Sequence, residues 1–115
     1  MVATDSLSPP LQILIVDDEI NIRKTLGIGL EVMGHQVVAV SNAADAVAEA
    51  ARRSFDLAFV DLKLGSGTTP TGMDLVPELL AQSPWMRIVI ITAHGSIDSA
   101  VETMKRGASD YITKP

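Results

Sequence analysis

The sequence predicts an α/β domain built on a parallel sheet with helices on both faces. Short apolar runs alternate with segments of helical period along the chain. Hydrophobic residues make up 47% of the 115 residues but aromatics only 3%, so the core must be aliphatic. Aliphatic strands without a polar face are the kind buried between two helical layers. Alternating β and α elements in turn imply parallel pairing through right-handed crossovers. A chain of this length holds one domain with a single core.

The first strand is read from Gln12 to Val16. Ile22, Leu26, Leu30 and Met33 follow at helical spacing, and Gly34 stops that helix. Gln36 to Val40 is the second strand. Asn42 is placed to cap an alanine-rich helix, with Asp45 in its first turn and Arg52-Arg53 near its end. The small face of Ala43, Ala46, Val47 and Ala50 lets that helix lie close to the sheet. The third strand is Leu57 to Asp61. The connection through Gly72 is long, since βα loops usually run about two to six residues. A short helix from Met73 to Gln82 follows, with Pro77 suited to its first turn. Arg87 to Thr92 is the fourth strand. Ser96 can cap a fourth helix striped by Ile97, Ala100, Val101 and Met104 and ended by Gly107. Asp110 to Ile112 is the fifth strand. Residues 1–10, with Ser6, Ser8, Pro9 and Pro10, read as a flexible lead-in to a domain spanning 11–115.

A net charge of −5 argues against nucleic-acid binding by this segment, because such binding needs basic residues to neutralise phosphates. Cysteine is absent, which excludes a disulfide framework and thiolate metal sites and suits a reducing cytoplasm. No apolar stretch approaches the roughly 18 residues of a membrane span. Met1 to Pro10 also lacks the basic-then-apolar order of a secretion signal. A cytoplasmic, membrane-free domain is expected.

Asp17-Asp18 closes the first apolar run and Asp61 closes the third. In open α/β sheets ligands bind beyond the carboxyl ends of the strands, where the strand order reverses. Asp17, Asp18, Asp61, Thr92 and Lys114 all fall at such ends. Ionised carboxylates about 4 Å apart repel by roughly 4 kcal/mol per pair at an effective dielectric near 20. Either one stays protonated or a cation joins them. Oxygen ligands without His or Cys suit Mg²⁺. Taken singly, each residue has an ordinary role. Asp17-Asp18-Glu19 can cap a helix, Asp61 can serve a turn, Thr92 suits a strand, and Lys114 can be a solvated charge. The joint pattern reverses those readings. His35 and His94 read as surface loop residues, and Trp85 as a packing residue beside a loop.

Val16-Asp17-Asp18-Glu19, Asp61-Leu62, Thr92-Ala93 and Lys114-Pro115 together resemble a response-regulator receiver domain of two-component signalling, from Leu11 to the end of the chain. The segments Ile91 to Ser96 and Lys105 to Tyr111 are similar to the nitrogen-regulator (NtrC-like) type. The resemblance implies a flavodoxin-like (CheY-like) doubly wound sheet of five parallel strands in the order 2-1-3-4-5. It implies Asp61 as the acceptor of a phosphoryl group from a sensor histidine kinase, in a domain that is not a turnover enzyme. Asp18 and Asp61 would bind Mg²⁺ directly, Asp17 through water, and Lys63 through its backbone carbonyl. Thr92 and Lys114 would hold the phosphoryl oxygens, Thr92 and Tyr111 would switch, and Lys63 with His94 would slow phosphate loss. The implied partners are an AAA+ ATPase and a helix-turn-helix in one longer chain, activating sigma-54 polymerase, and a second copy of the domain.

Two departures from that family stand out. Gly65 to Thr71 is longer and richer in Gly, Ser and Thr than the usual stretch. The family's fifth helix, after Lys114-Pro115, is absent, as in a fragment of a longer regulator, and its absence leaves apolar sheet surface uncovered. A cis Lys114-Pro115 bond is expected by the same resemblance. The rival reading is a pseudo-receiver acting only as an interaction module. A haloacid-dehalogenase phosphatase would need an acid where Lys63 stands. A dinucleotide-binding domain would need a glycine-rich turn where the chain is acidic.

Overall fold

In the computed structural model, residues 9–64, 71–93 and 97–114 are described. The elements in chain order are β1 (Gln12–Val16), α1 (Ile20–Val32), β2 (Gln36–Val40), α2 (Ala43–Arg52), β3 (Leu57–Asp61), α3 (Gly72–Gln82), β4 (Arg87–Thr92), α4 (Ile97–Lys105) and β5 (Asp110–Thr113). The strands form one parallel sheet in the order β2-β1-β3-β4-β5. Alternation along the chain requires parallel strands; the reversal between β1 and β3 came only from the family resemblance.

Successive residues of a strand face opposite sides. Leu14, Val16, Ala58, Val60, Ile88 and Ile90 therefore share one face, where they form the main core with Ala46, Ala50, Leu75, Val76 and Leu79 of α2 and α3. Met104 of α4 and Tyr111 of β5 pack against the same cluster. Ile13, Ile15 and Ile91 are buried on the opposite face. There α1 lies on β1 and β2, and a Cβ added at Gly27 would sit 3.8 Å from Val37 and 3.9 Å from Ile15. Beside α1 runs an open groove of about 350 Å³ lined by Ile22, Leu26, Leu30, Met33, Ile91 and Ile112, among others. The groove leaves apolar side chains of α1, β4 and β5 open at the surface.

The local punctuation follows the sequence closely. Asn42 caps α2 by accepting the Asp45 N–H at 2.8 Å. Gly34 and Gly107 end α1 and α4 with φ of +98° and +123°, a region that L side chains rarely enter.

Several expectations need correction. α3 begins at Gly72, so Pro77 lies inside the helix rather than in its first turn. Thr71 is the N-cap, and the Gly72 N–H bonds back to the Leu62 carbonyl at 3.0 Å, which starts the helix early. Met33 falls just past α1 and is 68% exposed on the groove. Trp85 is 60% exposed, a surface residue rather than a packing one. β5 continues to Thr113 because Thr92 pairs with it. Residues 1–8 of the lead-in, Gly65 to Pro70, the Ser96 cap, His94 and the Lys114-Pro115 bond lie outside the described residues.

Burial predicts where stability resides. Ile88→Ala, in the centre of the core, should lower unfolding free energy in urea by about 2–5 kcal/mol. Val32→Ala, at an 81% exposed site, should change it by less than about 0.5 kcal/mol.

Candidate functional site: an acid cluster at the carboxyl edge of the sheet

Strand register assembles the site. Val16 pairs with Val60, so Asp17 emerges beside Asp61. Asp61 pairs with Ile91 and Thr92 with Thr113, which brings Lys114 to the same edge. The backbone ladder continues one bond past three strand ends. Asp17 N–H donates to Val40, Leu62 N–H to Ile91, and Lys114 N–H to Thr92, at 3.1, 2.9 and 2.8 Å. These bonds fix the backbones that carry the polar side chains.

Carboxylate oxygens of Asp17, Asp18 and Asp61 lie within 4.8 Å of one another. Asp17 is 0% exposed and Asp61 is also buried, whereas Asp18 is exposed. Lys114 Nζ stands 3.3 Å from Asp17 Oδ2, 3.3 Å from Asp61 Oδ2 and 3.7 Å from Glu19 Oε2. It donates a hydrogen bond to Asp61. Asp61 Oδ1 accepts the Lys63 N–H at 3.2 Å, and Asp17 Oδ1 accepts the Glu19 N–H at 2.8 Å. Asp17 Oδ2 is buried beside the ammonium without a hydrogen bond. A buried, charged oxygen in that state calls for a further cationic or hydrogen-bonding partner.

One lysine does not neutralise this cluster. Burial, reinforced by the negative charge of Asp17, pushes the Asp61 carboxyl up to about 6, against the opposing pull of Lys114 and the Lys63 N–H. Burial alone would depress the Lys114 ammonium; the charges of Asp61 and Asp17 outweigh it and raise its pKa. A hard dication suits this donor set, all oxygen and partly uncompensated. Thr92 is buried at the end of β4, with its hydroxyl donating to the Ala93 carbonyl at 3.2 Å. Tyr111 is half-buried on β5 and packs toward the main core. Lys63 is exposed, two residues beyond Asp61.

Two site neighbours were missed in the sequence. Glu19 was read only as part of the acidic motif, yet it is the third acid to approach Lys114. Gly72 was read only as the end of a loop. A Cβ there would overlap the Asp61 carbonyl oxygen and crowd Leu62 Cα. A single glycine after a long loop was the available signal, and its contact with Asp61 is tertiary.

Gly72→Ala should therefore destabilise the chain by about 1–3 kcal/mol in chemical denaturation, as overpacking does. Gly29→Ala, with nothing within 4 Å of its Cβ, should stabilise α1 by roughly 0.5–1 kcal/mol. Asp61 also predicts a pH dependence. Its folded pKa of about 6 exceeds the unfolded 3.8, so ionisation opposes folding. That cost is absent below 3.8 and complete above about 6. Thermal melts in chelator should show Asp61→Asn more stable than the parent at neutral pH. The gap should close as pH falls through about 6.

Comparison with known proteins shows the family of the chain. The family model described as the response regulator receiver domain matches residues 13–115. The alginate biosynthesis transcriptional regulatory protein AlgB of Pseudomonas aeruginosa is 45% identical over 104 residues, covering 90% of this chain and 22% of AlgB. The response regulator protein PilR of the same species is 40% identical over 102 residues, covering 89% of this chain and 22% of PilR. The chain thus spans about a fifth of these relatives. The crystal structure of NtrX from Brucella abortus superposes with a TM-score of 0.87 at 36% identity, covering 93% of this chain and 24% of that one. A response regulator from Burkholderia pseudomallei, solved with a phosphorylated aspartic acid, calcium ion and citrate, gives 0.84 at 34% identity, covering 91% and 60%. The chain belongs to the response regulator receiver domain family.

Proposed function

We propose that this domain accepts a phosphoryl group on Asp61 from a phosphohistidine of a sensor kinase. The observation that carries the reading is Asp61 at the end of β3, hydrogen-bonded by Lys114 at 3.3 Å within a three-carboxylate cluster. The Asp61 carboxylate attacks phosphorus, the new O–P bond forms as the P–N bond breaks, and the imidazole leaves and takes up a proton. Lys114 holds negative charge on the transferring oxygens, and the Thr92 hydroxyl turns from Ala93 to donate to one of them.

Asp18, Asp61 and the Lys63 carbonyl would hold Mg²⁺, with Asp17 acting through water. The buried Asp17 Oδ2, paired only with the Lys114 ammonium, and the all-oxygen donor set fit that ion. When bound it supplies positive charge opposite the developing phosphoryl charge. Asp61 carries the product, so one group is transferred per cycle and the domain does not turn over as an enzyme. Lys63 and His94 slow hydrolysis of the acyl phosphate.

Movement of Thr92 toward the phosphoryl group lets Tyr111 turn inward, and the α4–β5 face changes shape. A full switch needs about 5.5 kcal/mol of differential stabilisation. New charge-assisted hydrogen bonds at Lys114 and Thr92 are of the right kind to supply it. Residues 11–115 form the receiver, with a further helix covering the α1 groove in a longer regulator. The output is transcriptional, through an AAA+ ATPase and a helix-turn-helix acting on sigma-54 polymerase, with dimerisation as the readout. This follows the resemblance and the regulatory names of the relatives. The setting is cytoplasmic, and no helix among the described residues is long and apolar enough to cross a membrane.

Incubation with acetyl phosphate and Mg²⁺ should add the mass of one phosphoryl group, and Asp61→Asn or chelator should abolish it. An unmodified parent chain would point to a pseudo-receiver instead. Lys114→Ala should slow modification by about 10²–10³-fold, as loss of a preorganised electrostatic donor does.

A further inference from the structure

From the turn that joins β1 to α1, we infer that Arg23 is a positioning residue for the acid cluster. The inference rests on the proposed Mg²⁺ site. Asp17 and Asp18 stand on this turn, so its conformation decides where two of the three carboxylates point. Three bonds fix Asp17. Its N–H is held by Val40 at 3.1 Å and its Oδ1 by the Glu19 N–H at 2.8 Å. Its carbonyl oxygen, past the end of the β1–β3 pairing, is held by the Arg23 guanidinium at 2.8 Å. With those three atoms occupied, Oδ2 is left facing Lys114 and the other acids.

Arg23 holds this place at the very start of α1. Glu19 is the N-cap of α1 and makes no side-chain capping bond of its own. A cation near a helix N-terminus opposes the macrodipole. Arg23 nevertheless folds back across the turn, half-buried, onto the Asp17 carbonyl, while its neighbour Lys24 is exposed. The guanidinium ties the first turn of the helix to the strand end.

Two effects of Arg23 on metal binding have opposite signs. Its positive charge repels a dication, whereas its grip on Asp17 preorganises the ligands. The second dominates, because the carbonyl bond fixes the turn, while repulsion by one arginine competes with the attraction of the three clustered carboxylates for the same dication. Loss of partners that orient metal ligands costs about 10–100-fold in affinity, and Arg23→Ala should fall near the lower end, about tenfold weaker for Mg²⁺.

The test is calorimetric titration of the chain with MgCl₂, paired with thermal melts in chelator. Arg23→Ala should weaken Mg²⁺ binding about tenfold, and Arg23→Lys, which keeps a donor and the charge, should recover part of the loss. Ile88→Val, which loosens the core away from the turn, should lower the melting temperature and leave Mg²⁺ affinity unchanged. Wild-type affinity in Arg23→Ala, with only a lower melting temperature, would make the arginine purely structural and overturn the inference. Tighter binding would show its charge to dominate and would overturn it equally. A parent chain that ignores Mg²⁺ would instead remove the metal reading itself, and the inference with it.

Discussion

Mutual repulsion of carboxylates at one sheet edge is the constraint around which this domain is arranged. Asp17 and Asp61 are buried within reach of each other, with Asp18 beside them at the surface. Burying charges of one sign is costly, and removing a partner from such a group costs more. The fold meets that cost with fixed partners. Lys114 spans the cluster from the last strand, while backbone N–H groups of Glu19 and Lys63 each take one carboxylate oxygen. The arrangement still leaves Asp61 with a raised pKa and Asp17 Oδ2 without a hydrogen bond. The site is therefore poised for a cation, and stability is given up at this edge, a combination typical of functional sites.

The sheet makes this poise possible. Parallel strands send all their carboxyl ends to one edge, and the order reverses between β1 and β3, the place where sheets of this kind bind ligands. The register sets each polar residue beside the next: Asp17 by Asp61, and Lys114 within one pair of Thr92. Behind the edge, aliphatic packing on the α2–α3–α4 face is dense, and the opposite face keeps an open apolar groove beside α1. The buried layer thus supports the acid-bearing edge, while β5, which carries Tyr111 and leads to Lys114, has its Ile112 flank open to the groove.

Much of this was legible in the chain because the signals are local. Apolar runs placed all five strands, Asn42 announced its capping bond, and Gly34 and Gly107 marked helix ends that need positive φ. The acids were visible because each ends an apolar run. What escaped depends on contacts between distant segments. Gly72 looked like a loop residue because its role is the space it leaves for the Asp61 backbone. Pro77 was placed in a first turn because nothing local shows that Gly72, bonded to Leu62, begins the helix. Trp85 was read as packed on its hydrophobicity, whereas the turn before β4 holds it outward. Periodicity also carries no strand order; that came from the likeness of the motifs to a family.

Locating a metal ion crystallographically tests the central claim most directly. In crystals of the chain soaked in Mn²⁺ as an anomalous stand-in for Mg²⁺, a single peak should lie between Asp18 and Asp61. Its oxygen ligands should sit at about 2.0–2.2 Å, as expected for small hard dications. A peak elsewhere, or an Asp61 side chain turned away from Asp17 and Asp18, would contradict the account.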